Sequence, residues 1–130
     1  MNEFTKSKLN IYLMRPFPRS STQSAIKQFE NRGVVCAEIG VFKGANAKDI
    51  LKRLNVSKIY LVDPYEEYEQ EWAPASTLID FPEAERIARK ELSKFNDKIV
   101  WVKKYSDDAV SELPMCDYIY LDANHDYEFV

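Results

Sequence analysis

Two rhythms of apolar residues alternate along this chain. Short, mostly apolar runs at Val34 to Ile39, Lys58 to Val62, Ile99 to Lys103 and Asp117 to Leu121 read as buried strands. Between them the spacing changes to that of a helix. Ala47, Ile50, Leu51 and Leu54 make one stripe on a helix from about Ala45 to Leu54, and Ala84, Ile87, Ala88, Leu92 and Phe95 make another. A first helix is predicted from Ser21 or Thr22, with Ala25, Ile26 and Phe29 turned inward and Gly33 ending it in a left-handed conformation. Asp80-Phe81-Pro82-Glu83 supplies a capped helix start, and Ser106 is placed to cap a short helix that runs to Leu113 and stops at Pro114. Strand and helix in alternation predict parallel βαβ units, an α/β open sheet. Residues 1–20 read as an irregular arm and residues 21–130 as one domain.

Composition narrows the partners more than the fold. Eighteen basic against twenty-one acidic residues leave a net charge of -3, which gives no electrostatic footprint for nucleic acid or an anionic membrane. The longest apolar runs, such as Ile11 to Met14 and Ile59 to Val62, are too short to cross a bilayer, and no secretory signal precedes the first element. A cytoplasmic location is therefore expected. The two cysteines, Cys36 inside one predicted strand and Cys116 at the start of another, lack metal-ligand spacing and read as small buried hydrophobes. A disulfide between them stays open if their strands are neighbours.

The chemistry gathers where strands hand over to helices. Two of the three glycines, Gly40 and Gly44, stand in Glu38-Ile39-Gly40-Val41-Phe42-Lys43-Gly44, between a buried strand and a helix, where free backbone N–H groups collect. An ordinary tight turn would also use them. Asp63 follows the second strand, 23 positions after Gly40, where a carboxylate can accept both hydroxyl protons of a ribose; alone it would read as a turn residue before Pro64. Beyond the fourth strand, Asp122, His125 and Asp126 supply two carboxylates and the only histidine. They can hold a divalent metal, act as a general base, or form a polar turn.

Together, Val34-Val35-Cys36-Ala37-Glu38-Ile39-Gly40-Val41-Phe42-Lys43-Gly44, Leu61-Val62-Asp63-Pro64-Tyr65 and Leu121-Asp122-Ala123-Asn124-His125-Asp126-Tyr127-Glu128 resemble the class I S-adenosylmethionine-dependent methyltransferases, from Gly33 to the end. Within that superfamily they look most like small-molecule enzymes whose fourth strand ends in an Asp-Gly-x-His-x-Tyr-like motif. The resemblance implies a Rossmann-like parallel sheet of strand order 3-2-1-4 and methyl transfer from S-adenosylmethionine to a small-molecule acceptor, with a sugar or natural-product hydroxyl as the candidate. It also implies that Glu38, Gly40 and Gly44 surround the methionine part of the cofactor, that Asp63 holds the ribose, and that Pro64 and Tyr65 flank the adenine. Ser106 and Asp107 would read the adenine amino group; Asp122 would face the reactive methyl, and Asp122 and His125 would be the catalytic candidates, as base or metal ligands. Phe42 stands where the fuller family loop has a glycine, and Ala123 where the tail motif has one.

The family's sheet has seven strands and this sequence offers four. The resemblance therefore implies either a piece of a longer chain or a domain completed by a partner, such as a homodimer through the open edge of strand four. Two competing readings have weaker support. A nicotinamide-dependent oxidoreductase would want G-x-G-x-x-G, whereas Glu38 and Phe42 place charge and bulk near the phosphates. A non-catalytic module would use Tyr65, Tyr68, Trp72 and the acidic residues Glu66, Glu67, Glu69 and Glu71 as a protein-binding surface.

Overall fold

The computed structural model describes residues 19–66 and 79–122. Residues 1–18 of the arm, the segment containing Tyr68 and Trp72, and the tail with His125 and Asp126 lie outside them, while Arg19 and Ser20, expected in the arm, belong to the start of the first helix. Helix α1 (Ser20–Phe29) leads into strand β1 (Val34–Ile39), α2 (Ala45–Arg53) and β2 (Val56–Val62). Helix α3 (Phe81–Glu91) continues through a 3-10 turn (Ser93–Lys98) into β3 (Ile99–Val102). A single helical turn, α4 (Ser106–Ala109), and a second 3-10 turn (Val110–Glu112) precede β4 (Tyr118–Leu121). All strand pairs are parallel, in the order β3-β2-β1-β4. The chain thus has the parallel α/β sheet that its alternating pattern predicts, in the Rossmann-like order that the resemblance implies.

Strand periodicity sorts the side chains onto two unequal faces. On one, Val34, Cys36, Ile59, Leu61 and Ile99 pack under Ala25 and Phe29 of α1, Ala47, Ile50 and Leu51 of α2, and Ala84 and Ala88 of α3, with Leu92 closing the end. On the other, Ile39, Val62, Val102 and Ala109 form a smaller cluster with Tyr60, Val100 and Leu113 packed against it, while Ile119 and Leu121 of β4 are 52% and 64% exposed.

Several local expectations change. Helix α1 turns Thr22, Ala25 and Phe29 inward and leaves Ile26 at the surface. Its left-handed exit falls at Glu30 and Asn31, whereas Gly33 is exposed and has no positive φ. The backbone has already turned three residues before the glycine. Asp80 does cap α3, its carboxylate accepting from Glu83 N–H, but Ser106 is the first helical residue of α4, with Tyr105 at the cap position. Cys116 lies before β4, half-buried, and both cysteines are free although their strands are adjacent. Burial pushes the Cys36 thiol up to about 12, with the Cys116 and Asp117 charges adding to the shift, so it behaves as a packed apolar group.

Candidate functional site

Parallel strands deliver their carboxyl ends to one edge of the sheet, and a cavity of about 320 Å3 opens there. Its walls are Ile39 at the end of β1 with Gly40 and Phe42 after it; Val62 at the end of β2 with Asp63, Pro64 and Glu66 after it; Lys104, Tyr105 and Ser106 after β3; and Asp122 after β4. Ile79 and Phe81 close it from the start of α3. Each of the four strands contributes, which is what a parallel sheet does with its loops.

The loop after β1 is held rather than slack. Asp63 Oδ2 accepts from both Val41 and Phe42 N–H at 2.9 Å, while Oδ1 accepts from Tyr65 N–H at 2.9 Å. Tyr65 then returns its hydroxyl to the Phe42 carbonyl at 2.6 Å. This clamp holds Phe42 at φ 54 and Tyr65 at φ 51, left-handed conformations that cost a bulky residue of the order of 1 kcal/mol or more. Gly40 reaches φ 90 and Gly44 φ 84 without that cost. The glycine that the fuller motif would place at Phe42 has an evident purpose, and the Asp63–Tyr65 bonds here take its place.

These bonds revise individual roles. A carboxylate offers about four acceptor positions. Asp63 spends three on backbone N–H groups, so it cannot by itself take both hydroxyls of a ribose, as its spacing had suggested. Tyr65 is buried and does not line the cavity, because its side chain turns back onto the Phe42 carbonyl. Gly44 is buried against α3: a Cβ there would stand 3.1 Å from Leu92 Cδ1 and 3.4 Å from Ala88, so its place is set by helix packing. Asp107 is exposed on α4 and leaves the wall to Ser106. Gly40, Asp63, Pro64, Ser106 and Asp122 do come together.

Glu38 sits just behind the wall, 1% exposed, where Asn46 Nδ2 donates to its Oε1 at 2.8 Å. Burial pushes its carboxyl up to about 8; the Asn46 hydrogen bond and the Arg19 charge oppose that shift, and Asp122 and Asp63 add to it. Glu38 Oε2 and Asn46 Oδ1 are buried without a hydrogen-bond partner among the described residues. An unpartnered carboxyl oxygen on the residue that precedes Ile39 and Gly40 of the wall fits the ammonium of S-adenosylmethionine's amino-acid end, a positive charge that would favour the ionised carboxyl. The wall also includes residues that the sequence reading passed over, notably Lys104 and Tyr105, whose hydroxyl lies 3.5 Å from Glu66 Oε2. Their signal was position: they follow β3 directly, on the ligand-bearing edge. Among the described residues no three His, Cys, Asp or Glu side chains are grouped to hold a metal ion, and no helix is long and apolar enough to cross a membrane.

A family model described as a methyltransferase domain matches residues 37–130, from the middle of β1 through all four wall segments. The chain belongs to that family. Precorrin-8w decarboxylase from Methanobacterium thermoautotrophicum superposes with a TM-score of 0.53 at 16% identity, covering 86% of this chain and 52% of that one. Precorrin-6y C5,15-methyltransferase from Geobacter metallireducens gives 0.50 at 13% identity, over 84% and 52%. At such identities the likeness concerns the fold, and the chain spans about half the length of either protein. No curated protein matches the sequence.

Proposed function

We propose that this methyltransferase-family chain binds S-adenosylmethionine in the carboxyl-edge cavity and supports methyl transfer to a small-molecule acceptor in the cytoplasm. The observation that carries the reading is the coincidence of the family match with the strands whose ends build the cavity. When bound, the cofactor supplies a methyl group on a positively charged sulfur, ready for displacement by a nucleophile.

The chain's own residues bind and orient. Asp63 fixes the loop after β1 and keeps one acceptor position for a ribose hydroxyl, and Glu66 supplies carboxylate oxygens beside it. Pro64, Phe42 and Phe81 offer apolar surface for a flat base, with Ser106 and the Tyr105 hydroxyl as polar partners. Asp122, exposed at the end of β4, stands where an acceptor would approach, and a carboxylate there can take a hydroxyl proton or orient it. His125 is proposed to assist from the segment that follows. A hydroxyl of a sugar or natural product is the proposed acceptor class, and pairing of two chains through the free edge of β4 is the proposed assembly.

Calorimetric titration with S-adenosylmethionine, and separately with a nicotinamide dinucleotide, tests the reading. Saturable binding of the first and none of the second is expected. Binding of the dinucleotide alone, or of neither, would overturn it.

A further inference from the structure

Strand β4 is paired on one side. Its register with β1 runs from Cys36 opposite Tyr118 to Ile39 opposite Leu121, and among the described residues no strand pairs with its other edge. Such an edge presents open N–H and C=O groups to any further strand. The opposite border of the sheet carries charge that discourages pairing: Arg89 lies over the Trp101 ring of β3, 4.5 Å from the centroid, and Glu85 holds both Arg89 and Lys103, which follows the strand. From Tyr118 to Leu121, β4 has neither a charge nor a proline.

The sequence holds a second segment of the same kind. Ile-Tyr-Leu occurs at 11–13, 59–61 and 119–121, and the last two stand inside β2 and β4. With Met14 the first makes a run of four residues, the length of β4. As a strand it would set Ile11 and Leu13 on one side and Tyr12 and Met14 on the other, the division that β4 makes between Ile119 and Leu121 and its two tyrosines. The point where the arm joins the fold decides which edge it meets. Arg19 lies beside β4, its guanidinium 5.7 Å from the centroid of the Tyr120 ring. Five residues separate Arg19 from Met14, an extended reach of about 17 Å. Pro16 and Pro18 favour that extended backbone, whereas β3 lies across the whole sheet.

We propose that residues 11–14 add to the free edge of β4 as an outer strand of the same chain. Ile119 and Leu121 gain lateral neighbours, and their open face stays open. The inference goes beyond the cofactor reading and does not depend on it. It makes pairing of two chains through β4 conditional on release of the arm.

Hydrogen exchange of the full chain, followed by mass spectrometry at two protein concentrations, tests the proposal. Residues 11–14 are expected to exchange about tenfold or more slowly than an unpaired segment, equally at both concentrations. Neighbouring N–H groups of a strand point to opposite sides, so the double variant Tyr12→Pro, Leu13→Pro removes a donor to β4 in either register. In that variant the protection of Ile11 and Met14 should disappear and part of that of residues 118–121 with it, while residues 59–61 of β2 keep theirs. Unprotected residues 11–14 in the wild type would overturn the proposal. Unchanged exchange of β4 in the variant would do the same, since the arm would then lie elsewhere. Protection that rises with concentration would give the edge to a second copy, and loss at residues 59–61 would make the arm part of the core; either result also overturns it.

Discussion

The two faces of this sheet share the same strands but are finished to different depths. Under α1, α2 and α3 the side chains of β1, β2 and β3 are sealed, with Cys36, Ile59 and Leu92 at 0% exposure. On the opposite face, among the described residues, the segment of α4 and Leu113 covers Ile39, Val62 and Val102, and Ile119 and Leu121 of β4 are exposed. Among the described residues the first face is the better packed, so it is expected to carry most of the stability. Truncating Leu92 to alanine should accordingly cost about 3 kcal/mol, since a fully buried leucine leaves a cavity. Leu121→Ala should change stability by no more than about 0.5 kcal/mol. Urea unfolding of both variants checks the contrast. A comparable loss from Leu121→Ala would mean that the open face is covered in solution, and sedimentation of the same variant would then tell whether a second copy covers it.

A second contrast lies along the cavity wall, between two aspartates that sequence alone makes look alike. Asp63 binds three backbone N–H groups and locks two residues at positive φ, whereas Asp122 is exposed at the end of β4. Asp63→Asn would set an amide NH2 against at least one of those N–H donors. A loss of about 2 kcal/mol is expected, against no more than about 0.5 for Asp122→Asn. Thermal denaturation of the pair measures it. Near-equal losses would show that the clamp contributes little to the fold.

What sequence could reveal follows the same division. The packed face was legible because its periodicity is strong: β1 falls at Val34–Ile39 as its apolar run predicts, Ala47, Ile50, Leu51 and Leu54 form the buried stripe of α2, and Asp80 caps α3. The order 3-2-1-4 came from the family resemblance. At the edge, sequence located the loops but not the directions of their side chains. The resemblance made Tyr65 a flank of the adenine, yet with a left-handed backbone its side chain is buried and its hydroxyl donates to the Phe42 carbonyl. Gly33 looked like a helix terminator, but Glu30 and Asn31 adopt the left-handed turn themselves. Ile26 has an inward neighbour in Ala25, and a slight change in helix rotation gives the buried position to Thr22 instead. These details depend on tertiary contacts that a local pattern does not encode.

Glu38 crosses the division, a carboxyl buried on the packed face yet next to the cavity. Its proton affinity is raised from 4.5 to about 8, first by burial. The Asn46 hydrogen bond opposes this, Asp122 and Asp63 reinforce it, and Arg19 partly offsets them. Between those values the folded chain retains a proton that the unfolded chain releases. The resulting stability is fully present below about pH 4.5, declines as pH rises, and is lost above about 8. One proton limits the slope to about 1.4 kcal/mol per pH unit. Glu38→Gln, neutral throughout, should flatten that part of the profile and should be the more stable protein at pH 8.5. Urea midpoints from pH 5 to 9 decide it. Parallel profiles for the two proteins would mean that Glu38 is already ionised in the fold, with Arg19 or water supplying the partner its Oε2 lacks among the described residues.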